Sequence, residues 1–387
     1  MTLRLLTNIE VFAPHALGHC DLLIGGGRIL QIGRSLDVPG ALGADVVDGR
    51  GRRCVPGLID GHVHVTGGGG EAGPQTKVPP VPLSQFTLGG ITSVVGVLGT
   101  DDTTRSTGEL VAAINGLRAE GLSAWGFTGG YHVPPVTLTG SVRGDLAYVD
   151  CLIGVGELAI SDHRSSQPTL DELLRVASDA HVGGMLSGKA GVVHLHLGDG
   201  ARGLALVREA LAQSELPPRV FHPTHVNRRR TLFEEAVALA RGGCTIDVTA
   251  FPVDDDEDAW SAVAAIRRYW ASGAPAEHLT CSTDGGGCLP TFDADGRITR
   301  FGVGSPGALA ETLRLLLDSG ASLEQALAPF TVNPARLLRL PRKGTIAVGA
   351  DADLVLLDLA GHVTDVMANG DWHVRDGRAV RLGTFER

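Results

Sequence analysis

The stretch DGHVHVTGGGGE, at residues 60–71, sets two histidines one residue apart ahead of four consecutive glycines and a glutamate. Side chains in a strand alternate between faces, so His62 and His64 would share one face while Val63 and Val65 occupy the other. Two neutral imidazoles on one face suit a divalent metal ion, and glycines let backbone approach a bound molecule closely. The stretch predicts a metal site beside a binding loop. A hairpin or barrel strand with two chance histidines and a flexible turn is the alternative.

Further side chains that can bind metal fall late in apolar runs elsewhere in the chain. With the first two, the candidates number six: His62, His64, Glu157, His196, His225 and Asp284. Taken singly, each could be a buried histidine with satisfied hydrogen bonds or an aspartate in a turn. Taken together, carboxylates and imidazoles from separate strands, directed at one place, can hold two metal ions.

The elements that would position these residues are eight apolar runs that alternate with helical stretches. The runs occupy residues 58–65, 91–98, 123–128, 155–160, 191–197, 219–225, 244–250 and 278–284. Such alternation indicates parallel βα units, and eight units over about 285 residues indicate a (β/α)8 TIM barrel of the α/β class. Chemistry in such barrels lies at the carboxyl ends of the strands, where the six candidates fall.

Several helix starts are marked by capping residues. Ser305 followed by Pro306 is typical of an N-cap with proline at the first helical position. Three pairs have the spacing of a capping box, in which side chains bind free backbone N–H groups: Thr169 with Glu172, Thr231 with Glu234, and Ser322 with Gln325.

Both ends of the chain contain short apolar runs broken by glycine turns, such as CDLLIGGGRILQIG near the start and GADADLVLLDL near the finish. We predict that residues 1–54 and 343–387 pair into one small β-sandwich domain. Residues 55–342 would then form the barrel.

Composition narrows the possible partners. The chain has 387 residues, 43% hydrophobic and 20% charged, which is typical of a folded globular protein. Its net charge of −10 argues against nucleic acid and anionic membrane. No apolar run reaches the roughly 18 residues of a membrane span, and the start lacks a signal-peptide pattern. The six scattered cysteines are typical of reduced thiols, so we expect a cytoplasmic protein.

The order of candidate ligands resembles that of the amidohydrolase superfamily: His-x-His on strand one, a bridging acid on strand four, histidines on strands five and six, and aspartate on strand eight. More closely, the chain resembles the isoaspartyl dipeptidase family, the metal-dependent β-aspartyl peptidases of that superfamily. HVHVTGGGGEAGP, GYHVP and SDHRS carry the specific resemblance, which extends over essentially the whole chain to KGTIAVGADADLVLLD. It implies hydrolysis of the isopeptide bond of β-aspartyl dipeptides by two divalent ions, with Zn²⁺ expected. It also implies a homo-oligomer, for which an octamer is one candidate.

One position departs from the family pattern. The bridging ligand there can be a lysine carboxylated by carbon dioxide, but this chain has no lysine between Lys77 and Lys189. Glu157 offers the same two oxygens on a shorter stem, so its strand must approach the metals more closely. We predict that Glu157 bridges the two ions directly.

The resemblance also assigns catalytic roles. Two metals about 3.5–4 Å apart can share a hydroxide, because binding lowers the pKa of water towards neutrality. Asp284 would take the proton of that hydroxide and pass it to the departing amine. Tyr131, in GGYHVP, would donate its hydroxyl to the oxyanion. The alternatives are a capping aspartate and a tyrosine that only packs.

The glycine run and its glutamate would read the free end of the substrate. A β-aspartyl residue presents its α-amine and α-carboxylate together, so recognition needs an anion for the amine and strong donors for carboxylates. Glu71 is expected to bind the amine, with Gly69 and Thr100 offering polar contacts. Arg164 and Arg228 can each bind a carboxylate bidentately, although a surface salt bridge is the alternative for either.

Some positions carry weaker expectations. Cys288 stands where the family often has a serine, so a hydroxyl contact with substrate becomes a thiol contact or is lost. Four further histidines are predicted to support the site or the fold rather than to bind metal: His132, His163, His194 and His222.

Other functions stay open. Another amidohydrolase, acting on a cyclic imide or an N-acyl amide as dihydropyrimidinases and deacetylases do, would share the metal ligands without needing Glu71 and two arginines. A deaminase typically keeps one metal, and the acid on strand four argues against that. A scaffold without catalysis should lack some ligands, and none of the six is missing. A serine hydrolase is unsupported because no Gly-x-Ser-x-Gly motif occurs.

Overall fold

The computed structural model describes residues 2–255, 257–292 and 298–387. Its strands are β1 Leu3–Phe12, β2 Ala16–Gly25, β3 Arg28–Gly33, β4 Asp45–Asp48, β5 Arg53–Pro56, β6 Leu58–Val63, β7 Ile91–Gly96, β8 Ser123–Thr128, β9 Leu152–Ile160, β10 Val192–Leu197, β11 Phe221–Thr224, β12 Ile246–Thr249, β13 Leu279–Ser282, β14 Cys288–Phe292, β15 Ile298–Val303, β16 Leu354–Leu357, β17 Val363–Ala368, β18 Asp371–Arg375 and β19 Arg378–Ala379. Its α-helices are α1 Leu83–Leu88, α2 Thr107–Ala119, α3 Val142–Tyr148, α4 Leu170–Ser187, α5 Ala205–Gln213, α6 Arg230–Arg241, α7 Ala262–Ala271, α8 Ala308–Asp318, α9 Leu323–Leu327 and α10 Val332–Leu337.

Parallel strands form the centre of the fold. β6 to β11 make one six-stranded sheet in which every strand lies beside its neighbour in sequence, and β12 pairs in parallel with β13. A parallel bridge between Val63 and Gly285 joins the end of β6 to the segment after β13. The eight predicted runs are therefore confirmed as strands, and the α/β class is confirmed. Closure of these strands into a complete barrel stays a prediction.

The central strands are buried on both faces, as expected where helices cover a parallel sheet. All nine residues of β9 are buried. A helix follows each of the eight strands, from α1 after β6 to α8 after the β14–β15 hairpin. That hairpin is an addition that the strand pattern did not predict. The side chains named below stand at the carboxyl ends of these strands.

Two of the predicted helix caps are confirmed. Thr169 caps α4 with a complete capping box through Glu172, and the Ser322 side chain accepts a hydrogen bond from the backbone of Gln325 at the start of α9.

The other two predicted caps are wrong. Helix α6 begins at Arg230, ahead of Thr231, because the Arg230 N–H finds a partner in the carbonyl of Asp258 and needs no capping hydroxyl. Helix α8 begins at Ala308 because Ser305 and Pro306 form a separate turn, in which the Ala308 N–H donates to the Ser305 carbonyl.

A second, nine-stranded sheet contains both ends of the chain. Its order is β19-β18-β17-β16-β5-β1-β2-β3, with β4 paired to β1. The two ends meet where β5 pairs antiparallel with β16, and Val55 lies opposite Val355. The predicted pairing of the termini is thus present as one sheet, while the sandwich and its boundaries stay predictions.

A buried ion pair connects the two sheets. Lys343 Nζ lies 2.6 Å from Asp353 Oδ2, 3.0 Å from Asp351 Oδ2 and 2.6 Å from the Ser123 hydroxyl on β8. All four side chains are largely buried.

Among the described residues, no helix is both long and apolar enough to cross a bilayer.

Candidate metal centre

The two histidines of the opening stretch lie at the end of β6 and point the same way. Their Nε2 atoms both face Asp284: the distance to Asp284 Oδ1 is 3.4 Å from His62 and 3.0 Å from His64. Both rings are buried, His62 completely. The predicted sharing of one strand face is therefore confirmed.

Glu157, on β9, lies among four imidazoles. Its Oε1 is 3.5 Å from Nε2 of both His62 and His64. Its Oε2 is 3.1 Å from Nδ1 of His196 and 3.6 Å from Nε2 of His225. Each oxygen thus faces a different pair of histidines, which is the disposition required of a carboxylate that bridges two cations.

The donor set fits divalent metal. Two overlapping groups each place three ligand atoms within 4.8 Å of one another: His62, His64 and Asp284, and His62, Glu157 and His225. Within the described part of the chain, His62 Nε2 and Asp284 Oδ1 are buried and have no hydrogen-bond partner. Buried polar atoms are rarely left unpaired, and a cation between them would satisfy both.

Electrostatics reinforce this interpretation. Burial acts against a charged His62, but the carboxylates of Glu157 and Asp284 raise its pKa well above the usual value. Burial likewise acts to raise the pKa of Glu157. The charge of His62 and hydrogen bonds from His196 and His225 outweigh burial and hold the pKa of Glu157 well below its usual range. For His225 itself burial dominates and lowers the pKa to about 3. The carboxylates are therefore ionised and require positive charge beside them.

Tyr131 lies over the ring of His196. Its hydroxyl is 2.8 Å from His196 Nδ1, and the Arg164 guanidinium is 5.5 Å from the centre of the phenol ring. Burial raises the pKa of Tyr131 well above its usual value, so the hydroxyl keeps its proton. A buried, protonated phenol beside the ligands can act as a hydrogen-bond donor.

The residues expected to bind substrate line the same small cavity as the ligands. Arg164 Nη1 and the Thr100 hydroxyl both donate to Glu71 Oε1, at 3.3 and 3.2 Å. Glu71 Oε2 is buried without a partner among the described residues. The cavity has a volume of about 20 Å³ and is lined by His64, Gly69, Glu71, Thr100, Tyr131, Glu157, Arg164, His196, His225, Arg228, Asp284 and Cys288. Every residue predicted for the site lines it except His62, whose Nε2 lies 3.5 Å from Glu157 and 3.4 Å from Asp284 in the lining.

Asp162 belongs to the site and was missed by the sequence interpretation. Its Oδ2 accepts hydrogen bonds from Nε2 of His196 at 3.0 Å and from Nη2 of Arg164 at 2.7 Å. It therefore joins a predicted metal ligand to an arginine that is predicted to bind substrate. The available signal was its place in SDHRS, two residues before Arg164.

Asp60 was also missed. It accepts hydrogen bonds from the backbone N–H of Thr283, at 3.1 Å, and of His62, at 3.3 Å. It thereby fastens the end of β6 to the segment that carries Asp284. Burial raises the pKa of Asp60 to about 7.

The four remaining histidines occupy different surroundings. His132 is half exposed and bonds to Asp102, and His163 is exposed, 3.6 Å from Asp162. His194 and His222 are buried, and burial lowers the pKa of His222 to about 4 and that of His194 well below its usual value. Both buried rings are therefore neutral.

Comparison with known proteins also relates this chain to metal-dependent amidohydrolases. The family model described as Amidohydrolase family matches residues 152–373. The solved structure of a β-aspartyl dipeptidase from Fervidobacterium islandicum, in complex with a β-Asp-Leu dipeptide, is 40% identical, with a TM-score of 0.92 and 100% of both chains covered. A dihydropyrimidinase from Brevibacillus agri, 18% identical with a TM-score of 0.67 and full coverage of both chains, shares the fold. A dihydroorotase from Pelotomaculum thermopropionicum is 27% identical over 87% of this chain and 84% of its own length.

Proposed function

The chain belongs to the amidohydrolase family, and we propose that it is a metal-dependent dipeptidase that hydrolyses the isopeptide bond of β-aspartyl dipeptides. The observation that carries the proposal is the buried Glu71–Arg164 pair, which faces the metal ligands across one cavity. Full-length similarity to a β-aspartyl dipeptidase that binds β-Asp-Leu supports the same assignment.

We propose that His62, His64, Glu157, His196, His225 and Asp284 hold two divalent ions, with Zn²⁺ expected. When bound, such ions lower the pKa of water and polarise a carbonyl group. The placement of Glu157, with one oxygen towards each pair of histidines, supports its role as the bridge. Because glutamate carries the required charge itself, no carboxylated lysine is needed at this position.

The protein's own residues would manage the proton and the developing charge. Asp284 accepts a proton from the attacking water and returns it to the departing amine. Tyr131 donates its hydroxyl to the carbonyl oxygen as negative charge develops there. The retained phenolic proton of Tyr131 and its position against His196 support this role.

Substrate recognition would replace the Glu71–Arg164 ion pair with contacts to the charged groups of the substrate. The substrate amine binds Glu71, and its carboxylates bind Arg164 and Arg228. A cavity of about 20 Å³ has room for about one water molecule, so binding of a dipeptide requires that side chains around it move. Cys288 presents a neutral thiol, because burial raises its pKa to about 11.

The larger organisation is proposed on the same grounds. Residues 55–342 would close as a (β/α)8 barrel, and residues 1–54 with 343–387 would form the small β-sandwich domain. The protein would be a cytoplasmic homo-oligomer that binds neither nucleic acid nor membrane. Size-exclusion chromatography with light scattering measures the oligomeric state directly.

A second candidate is hydrolysis of a cyclic imide, favoured by the 27% identity to a dihydroorotase over most of the chain. The discriminating experiment incubates the metal-replete enzyme with β-Asp-Leu, α-Asp-Leu and dihydroorotate, and measures product by chromatography. We expect release of leucine from β-Asp-Leu with little from α-Asp-Leu and no ring opening. Equal rates on both dipeptides, or turnover of dihydroorotate alone, would overturn the assignment.

A further inference from the structure

A row of buried polar side chains leads away from the metal centre through the interior of the parallel sheet. His62 Nδ1 lies 2.7 Å from Nε2 of His194, and His194 Nδ1 lies 2.9 Å from Nδ1 of His222. His222 Nε2 lies 3.2 Å from the hydroxyl of Thr280, which lies 2.6 Å from Asp247 Oδ1. Strand interiors in such folds are usually filled by branched apolar residues, so a continuous polar row is unusual.

Strand register builds this row. His194 on β10 lies directly opposite His222 on β11, and Asp247 on β12 lies directly opposite Thr280 on β13. All of these side chains are at most 3% exposed. Bulk water therefore does not reach these groups, and the hydrogen-bond partners that the structure gives them lie within the row.

The direction of the hydrogen bonds is set at the Asp247 end of the row. Three hydroxyl groups, those of Thr224, Thr280 and Ser282, donate to the Asp247 carboxylate. A hydroxyl group has a single proton to donate. Since the single hydroxyl proton of Thr280 is directed at Asp247, its oxygen accepts the hydrogen bond from His222.

That direction propagates through the neutral imidazoles, because each carries one N–H and one lone pair. His222 donates from Nε2 and so accepts at Nδ1. His194 therefore donates from Nδ1 and accepts at Nε2, and His62 donates from Nδ1. When His62 is neutral, as it must be to bind metal, its lone pair is thereby left on Nε2, the atom that faces Glu157 and Asp284.

We infer that Asp247, acting through Thr280, His222 and His194, is a remote positioning residue that fixes the tautomer in which His62 can bind metal. With the row reversed, Nε2 of His62 would carry a proton where the cation must bind. The inference rests on the metal site proposed above and is independent of the substrate.

The test compares Thr280→Val with Thr224→Val. Each substitution removes one hydroxyl donor to Asp247 at a buried position, but only Thr280 touches His222. Without an acceptor for its Nε2–H, His222 is more stable as the other tautomer, in which Nδ1–H donates to His194. That change reverses the direction of every hydrogen bond between His222 and His62. We expect Thr280→Val to weaken Zn²⁺ binding, measured by chelator competition, by about 10- to 100-fold, the range found for groups that orient metal-bound histidines. The Zn²⁺ affinity of Thr224→Val should stay within about twofold of wild type. Thr280→Ser keeps a hydroxyl at this position, so its Zn²⁺ affinity should equal that of wild type.

A spectroscopic measurement separates this role from a merely structural one. In metal-free protein labelled with ¹⁵N at histidine, and at a pH high enough to leave His62 neutral, solid-state NMR distinguishes the protonated from the unprotonated ring nitrogen, and the signals of His62 are assigned by their loss in His62→Asn. Wild type and Thr280→Ser should show Nδ1–H on His62, and Thr280→Val should show Nε2–H. Unchanged tautomers in Thr280→Val, or equal losses of affinity in Thr280→Val and Thr224→Val, would overturn the inference. Normal zinc binding and the expected tautomers without cleavage of β-Asp-Leu would refute the proposed function and leave this inference standing.

Discussion

Glu71 offers the sharpest test of substrate recognition, because one of its carboxylate oxygens already accepts hydrogen bonds and the other has no hydrogen-bond partner among the described residues. Oε1 accepts from Arg164 and Thr100, while Oε2 is buried and without a partner among the described residues. We propose that Oε2 receives the substrate amine. Glu71→Gln keeps the size of the side chain and an oxygen for Thr100, but removes the negative charge.

The magnitude follows from the burial of the pair. The Glu71 side chain is 11% exposed, so an ammonium bound beside it would be largely shielded from water. Removing one member of a buried, hydrogen-bonded charge pair costs about 2–4 kcal/mol. At about 1.4 kcal/mol for each factor of ten, kcat/KM for β-Asp-Leu should fall by about 30- to 700-fold.

The assay uses a substrate that lacks the charge in question. Succinyl-leucine has the same scissile amide and carboxylates as β-Asp-Leu but no α-amine. Wild-type enzyme should prefer β-Asp-Leu, and Glu71→Gln should lose that preference, with its rate on succinyl-leucine nearly unchanged. Metal content, measured by mass spectrometry, should stay at the wild-type value. Equal losses on both substrates would show that Glu71 does not bind the amine and would refute the reasoning.

Three further predictions concern the ligands, the phenol and the fold. Glu157→Gln should lower bound metal below two ions per chain by mass spectrometry; two retained ions with full activity would show that the bridge is elsewhere. Tyr131→Phe should lower kcat on β-Asp-Leu by about 10²- to 10³-fold with little change in KM or metal content, the loss typical of one oxyanion donor. Lys343→Met leaves Asp353 without its buried counter-charge, so the free energy of unfolding should fall by about 3–5 kcal/mol in chemical denaturation; an unchanged value would mean that the pair is dispensable.

The sequence sufficed for the strands of the parallel sheet and for the six candidate ligands that gather at their ends. Alternation of apolar runs with helices identifies β6 to β13, and the rule that polar residues gather at carboxyl ends of parallel strands brings the six ligand candidates together. Both inferences depend on local patterns and one general property of the fold. They need no knowledge of which side chains touch.

The residues that were missed depend on contacts between distant segments. Asp162 acts only because the chain turns after β9, so that its carboxylate meets both His196 and Arg164. The wrongly predicted start of α6 has a similar origin, since the carbonyl that binds the Arg230 N–H comes from Asp258. The contacts of Asp162 with His196 and of Arg230 with Asp258 join distant parts of the chain, and no periodicity in the sequence encodes them.

The Glu71–Arg164 pair gives the proposed specificity its physical basis. Separating two largely buried charges is costly unless each finds a new partner. A ligand with only an amine would not replace the hydrogen bond that Arg164 makes with Glu71, and one with only a carboxylate would leave Glu71 short of a cation. A β-aspartyl residue brings both groups on one carbon atom, and so compensates both members of the pair at once. An α-aspartyl peptide has its α-carboxyl in the peptide bond and places its free carboxylate one atom further from the amine, so it cannot compensate both with the same geometry. Discrimination between the isomers should therefore be lost together with the amine preference in Glu71→Gln.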